Sequence, residues 1–163
     1  MSVIQFWNVA NTIITFDPAL DQIDLGALDA SQLRIDQVNG DVVLTIGTAS
    51  LTLSSITLAH LNDSNFSFAS GVVSLGGVSG ELQNGTAFND YLSLGRGGND
   101  TVYGGDGSDF IFGGSEVTTA DAIDGGAGID RLVLTGGVTL AAQAGFLTGV
   151  ETVAVESSEA VSL

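Results

Sequence analysis

Short runs in which apolar and polar residues alternate recur through the first half of the chain: Val3-Ile-Gln-Phe-Trp7, Thr12-Ile-Ile-Thr-Phe16, Gln32-Leu-Arg-Ile-Asp36, Asp41-Val-Val-Leu-Thr-Ile46, Ser50-Leu-Thr-Leu53 and Asn65-Phe-Ser-Phe68. A period of two, β-branched or aromatic residues and intervening Asn, Asp, Gly and Ser predict short β-strands. Val38-Asn-Gly-Asp41 predicts a tight hairpin turn between two of them, because Asn-Gly accepts the positive φ angles that such turns need. Asp29-Ala-Ser-Gln-Leu33 and Ile56-Thr-Leu-Ala-His-Leu61 predict single helical turns, too short to change an all-β class.

From Gly85 to Val133 the period changes. A nine-residue phrase returns, clearest in Gly104-Gly-Asp-Gly-Ser-Asp109-Phe-Ile-Phe and Gly125-Gly-Ala-Gly-Ile-Asp130-Arg-Leu-Val. Its aspartates are Asp90, Asp100, Asp109, Asp121 and Asp130, and two residues beyond each stands Leu92, Val102, Ile111, Ile123 or Leu132. A flexible Gly-rich linker has no reason to hold an aliphatic residue at a fixed distance from every Asp. Alternation after each Asp sends position 8 inward and positions 7 and 9 outward. Each copy is thus half a coil, one loop and one brief strand, and stacking the coils brings loops from alternate copies together on each edge.

Glycines at positions 1, 2 and 4 permit backbone angles closed to other residues, so that successive carbonyl oxygens turn inward. A hard dication takes six to eight oxygens at about 2.3–2.6 Å from carboxylates and carbonyls. The loop supplies the carbonyls and position 6 the charge.

These residues resemble the calcium-binding nonapeptide repeats of the RTX (repeats-in-toxin) family. The resemblance implies an all-β fold: a right-handed parallel β-roll of about five repeats over residues 81–135, after an N-terminal β-rich region (1–80) and before a C-terminal capping segment (136–163). It implies Ca²⁺ between the loop of one repeat and the loop two repeats later, pairing Asp90 with Asp109, Asp100 with Asp121 and Asp109 with Asp130. Loop carbonyls would place Gly97, Gly98, Gly105, Gly107, Gly126 and Gly128 near the ions. Two copies depart from the pattern. Asp121 follows Asp109 by twelve residues instead of nine, through Ser115-Glu-Val-Thr-Thr-Ala120, which predicts a deformed site. Gly85-Thr-Ala-Phe-Asn-Asp90 keeps one of three glycines and predicts a capping turn with partial ligation.

Nineteen acidic residues stand against three basic ones, all arginine, for a net charge of −16. Such a chain is repelled by nucleic acid and by anionic membrane surfaces. A 44% hydrophobic content departs from the composition of disorder, and a fold that depends on metal reconciles it with the charge. No apolar run reaches the ~18 residues of a membrane span, and the N-terminus lacks the pattern of a signal peptide.

Chemistry beyond metal binding has little support. His60 is the single histidine, and cysteine and lysine are absent, so a base, a Cys nucleophile or a zinc-ligand cluster would each need an uncommon substitute. Asp17-Pro-Ala-Leu-Asp-Gln-Ile-Asp24 reads as a solvated turn, and Gly76-Gly-Val-Ser-Gly80 lacks the spacing of a nucleophile elbow. The RTX resemblance further implies export steered by an uncleaved C-terminal segment, and the acidic, Ser/Thr/Val-rich stretch Thr148–Leu163 fits that role or that of one more closing strand. Leu33 to Gly71 is faintly similar to the β-rich module that accompanies RTX repeats in secreted bacterial proteins. Met1-Ser2 reads as a natural start.

The expected function is a non-catalytic, secreted, calcium-binding structural protein of a Gram-negative bacterium, folding on Ca²⁺ and assembling through β-edges into a homo-oligomer or polymer such as a matrix, surface layer or filament. Two alternatives remain: a folding and secretion module of a larger secreted hydrolase or epimerase, and an adhesin module binding extracellular polysaccharide through Trp7, Tyr91, Tyr103 or Phe110 with calcium.

Overall fold

A computed structural model describes residues 2–135 and 146–156. The N-terminal strands are β1 (Ser2–Gln5), β2 (Thr12–Thr15), β3 (Asp21–Gly26), β4 (Leu33–Val38), β5 (Asp41–Ile46), β6 (Ala49–Ser54) and β7 (Phe66–Phe68). They form two layers. One is the parallel sheet β1-β3-β7. In the other, β2 pairs parallel with β6 and the β4–β5 and β5–β6 hairpins complete four strands. The Asn-Gly turn is present, with φ of +51° at Asn39 and +90° at Gly40. The strand expected over Val3–Trp7 stops at Gln5. Phe6–Val9 make a helical turn that buries Phe6 in the core and leaves Trp7 half exposed with its ring against Gly26.

The nonapeptide region builds the predicted parallel β-roll. Strands β8 (Val73–Leu75), β10 (Tyr91–Ser93), β12 (Phe110–Gly114), β14 (Arg131–Leu134) and β16 (Thr152–Val155) form one wall. Strands β9 (Leu82–Asn84), β11 (Thr101–Asp106), β13 (Ala122–Ala127) and β15 (Leu147–Thr148) form the other. Every pairing within the walls is parallel, and the chain alternates between them strand by strand. Register carries position 8 onto position 8: Leu92 on Ile111, Ile111 on Leu132, and Val102 on Ile123. These five side chains, fully or almost fully buried, are the predicted aliphatic column, and Leu94, Val117 and Leu134 pack with them.

Positions 7 and 9 of the first wall do point away from the roll interior, but not into solvent. Val73, Tyr91, Phe110 and Val133 pack under the N-terminal layers in a second core with Phe6, Phe16, Ile23, Leu33, Leu44 and Leu53. Tyr91 and Phe110 stack with centroids 5.4 Å apart, and the Arg34 guanidinium lies 3.5 Å over the Phe110 ring. Neither aromatic is therefore free to receive a sugar, whereas Trp7 and Tyr103 are about half exposed. The wall β8-β10-β12-β14-β16 is thus shared by both cores and fixes the loops at its ends. Of the C-terminal segment, β16 extends that wall, and residues 157–163 of the expected export signal lie outside the described residues.

Candidate metal centre

The loops stack in two columns. On the edge leading into β10, β12, β14 and β16, position 6 is occupied by Asp90, Asp109, Asp130 and Glu151 in successive coils. Each carboxylate accepts the backbone N–H one coil earlier: Asp90 Oδ1 from Val72 (2.6 Å), Asp109 Oδ1 from Asp90 (2.9 Å), Asp130 Oδ1 from Asp109 (2.8 Å) and Glu151 Oε2 from Asp130 (2.7 Å). The opposite edge repeats the device, with Asp100 Oδ1 accepting from Glu81 N (2.9 Å) and Asp121 Oδ1 from Asp100 N (2.8 Å). All three residue pairs expected from the repeat are brought together, one coil apart.

Glu81 and Glu151 belong to the columns and were not anticipated. Gly76-Gly-Val-Ser-Gly-Glu81 is a nonapeptide turn with Glu for Asp, disguised because its position 8 is Gln83, buried with its Nε2 donating to the Ser93 carbonyl at 2.7 Å. Glu151 follows a shortened turn at Gly149.

Gly97, Gly98, Gly105, Gly107, Gly126 and Gly128 all have φ between +96° and +145°, where a Cβ is strained. Stacked turns touch through these glycines: Gly105 lies on the Thr86 carbonyl, Gly126 on that of Gly105, Gly107 on that of Phe88 and Gly128 on that of Gly107. Gly104 and Gly125, at position 1, meet the next coil's carbonyl and also Oδ2 of their own repeat's Asp109 or Asp130. Carbonyl and carboxylate oxygens therefore share the narrow gap between coils.

The second carboxylate oxygen separates the copies. Oδ2 of Asp109 and Oδ2 of Asp130 are fully buried with no hydrogen-bond partner. A buried, unsatisfied acceptor on a charged group is costly and calls for a counter-ion or a proton. At Asp90 and Asp121 a threonine fills that role. Asp90 Oδ2 accepts from Thr86 N (2.6 Å) and Asp121 Oδ2 from Thr118 N (2.6 Å), with the Thr hydroxyls at 3.1 and 3.3 Å.

Electrostatics agree. Burial, then the charges of Asp90, Asp130 and Asp29, push the Asp109 carboxyl up to about 7 against the pull of its backbone hydrogen bond. Burial likewise raises Asp130, aided by Glu151 and Asp124, and Asp100, aided by Asp121 and Glu81. Among the described residues no three acidic or imidazole side chains converge on one point, so any cation held here takes much of its shell from carbonyls. Hard oxygen donors, paired negative charge and orphaned carboxylate oxygens fit Ca²⁺.

Fold and site together define a calcium-binding parallel β-roll. The RTX calcium-binding nonapeptide repeat, in four copies, matches residues 84–116, and the parallel β-roll seen there supports the RTX character of that segment. No curated protein and no solved structure matches the chain.

Proposed function

We propose that the chain is a non-catalytic structural protein that works outside a bacterial cell, where millimolar calcium holds its roll together, and that it self-assembles there. RTX repeats are typical of secreted proteins, and among the described residues no helix is long and apolar enough to cross a membrane. The observation that carries the reading is the pair of buried, unpartnered carboxylate oxygens on Asp109 and Asp130. Without a cation these coils stack like charges; with one, the same oxygens hold coil to coil. Binding free energy at such a site is folding free energy.

Assembly is supported by the ends of the stack. Strand β1 borders its sheet with Val3 exposed, β2 borders its own with Ile13 exposed, and β16 borders the long wall with Val153 and Val155 partly exposed. Unpaired strand edges template the addition of another chain. The test is light scattering with circular dichroism in EGTA and then in a few millimolar Ca²⁺, of the order of extracellular sites. Growth to large particles on calcium addition supports assembly; a monodisperse monomer that gains β structure favours a folding and secretion module of a larger secreted enzyme; no response to calcium removes both.

A further inference from the structure

Five described turns end in an Asp at position 6; at Asp90, Asp109, Asp121 and Asp130 the Oδ2 is either filled by a threonine or empty, and for Asp90, Asp109 and Asp130 the residue at the second place of the turn decides which. Where it is Gly105 or Gly126, φ is +106° or +96° and the Oδ2 of Asp109 or Asp130 is orphaned. Where it is Thr86, the backbone cannot take that angle without strain, and Thr86 is not among the positive-φ residues. Its N–H turns onto Asp90 Oδ2 instead, its hydroxyl reaches the same carboxylate, and the hydroxyl oxygen accepts the N–H of Phe88 at 3.1 Å. The long turn before Asp121 reproduces this bond for bond. Thr118 donates its N–H to Asp121 Oδ2 at 2.6 Å, and its hydroxyl accepts from Ala120 N at 3.1 Å. Val117, the residue before it, is buried in the roll core and anchors the insertion.

We infer that Thr86 and Thr118 are built-in substitutes for a cation: they satisfy Asp90 and Asp121 in the way calcium would, so those two turns close without metal, and of these four aspartates calcium ligation falls to Asp109 and Asp130. Two turns of different length converge on one hydrogen-bond pattern, while the two glycine turns share the same deficit. The roll therefore has metal-independent coils adjoining metal-dependent ones. The coil carrying Asp90 is also tied to the N-terminal layers, through Asn89 Nδ2 donating to Asp29 Oδ2 at 2.8 Å, and Asn89 Oδ1 accepts Ser108 N at 2.7 Å from the next coil. A turn closed by threonine can thus stand folded in low calcium and template the coils that follow.

The inference rests on calcium binding by the roll, and the test separates the two. Calcium bound per chain is measured by equilibrium dialysis at saturating free Ca²⁺ for the unaltered chain and for Asp90→Asn, Asp130→Asn and Thr86→Gly, each checked for folding in calcium by circular dichroism. Asp130→Asn should lose at least one ion, Asp90→Asn none, and Thr86→Gly should gain one while unfolding more readily in EGTA. Should a variant not fold, hydrogen exchange of the unaltered chain reports instead: calcium addition should slow exchange in residues 104–109 and 125–130 and leave 85–90 and 118–121 unchanged. Loss of an ion from Asp90→Asn, no gain in Thr86→Gly, or equal calcium protection of all four turns overturns the cap assignment. No calcium bound by the unaltered chain overturns the calcium reading itself.

Discussion

Asp130 accepts the backbone N–H of Asp109 through Oδ1 at 2.8 Å, while its Oδ2 is buried without a partner. One oxygen sets the spacing of two coils and the other is left for a cation. Asp130→Asn keeps the first contact through its amide oxygen and removes the charge. The expected outcome is a rise in the calcium midpoint of roughly tenfold or more, about 1.4 kcal/mol, in a titration followed by far-ultraviolet circular dichroism. Asp109→Ala, which also removes the acceptor for Asp90 N, should be worse. Asp121→Ala should shift the midpoint less than either, and equal shifts for the three would refute the division of labour.

Gly104 makes a steric prediction. A Cβ there would overlap the Gly125 carbonyl and Asp109 Oδ2, backbone and buried carboxylate that have nowhere to go. Gly47 offers the control: its φ of +60° is unfavourable for alanine, but nothing lies within 4 Å of the added methyl. Gly47→Ala should cost about 1 kcal/mol, seen as a small fall in thermal midpoint. Gly104→Ala should cost several times more and remain poorly folded at saturating calcium. Comparable midpoints for the two variants would mean that the coils do not stack this closely.

Acid should stabilise the calcium-free roll and release calcium from the loaded one. Burial raises the carboxyl of Asp109 from 3.8 to about 7 and raises Asp100 and Asp130 in the same direction, so the folded chain binds protons more tightly than the unfolded chain. Stability then falls as pH rises wherever the folded state holds more protons. The contribution of these groups is fully present below about 4, near the unfolded value, and is lost as pH rises through the folded values, about 7 for Asp109. In EGTA the thermal midpoint should therefore be higher at pH 5 than at pH 8. With calcium, which competes with the proton for the same oxygens, the order should reverse. A midpoint in EGTA that climbs with pH would contradict the buried, unpartnered carboxylates.

The repeat was legible because its chemistry is local: an Asp, an inward aliphatic two residues later, and glycines that let coils touch. Register and the two walls follow from those offsets, and the three aspartate pairs are those that the resemblance to RTX repeats implied. Glu81 and Glu151 escaped notice because each stands in a degraded copy, one with a buried Gln83 where an aliphatic residue is expected and one with a shortened turn. The threonine caps were hidden for a different reason. That Thr86 N and Thr118 N reach a carboxylate depends on backbone angles at turns of unequal length, which no spacing reveals. Alternation also found the N-terminal strands except β3: Asp21–Asp24, expected to lie in a solvated turn, instead open this central strand, which buries Ile23 and Leu25, and burial of Phe6 ends β1 early. What periodicity could not supply was the partner of the roll's outer face. Tyr91 and Phe110 look like exposed positions in a repeat and prove buried only because the hairpins from residues 33–54 fold over them.

That shared wall yields the last prediction. Phe110 and Ile111 are neighbours on β12 facing opposite ways, Phe110 into the core beneath the N-terminal layers and Ile111 into the roll. Truncating either to alanine removes a large buried side chain and should cost on the order of 2–5 kcal/mol, yet the two losses fall on different bodies. Trp7, the single tryptophan, lies in the N-terminal region and reports on it by fluorescence. In saturating calcium the roll is held by metal as well as by its column. Phe110→Ala, which also takes away the ring beneath Arg34, should therefore make the Trp7 transition precede the loss of β signal on heating. Ile111→Ala should weaken the roll instead and raise the calcium needed to fold it. Coincident transitions in Phe110→Ala, with an unchanged calcium requirement in Ile111→Ala, would show that the two cores unfold as one and that the wall between them is no boundary.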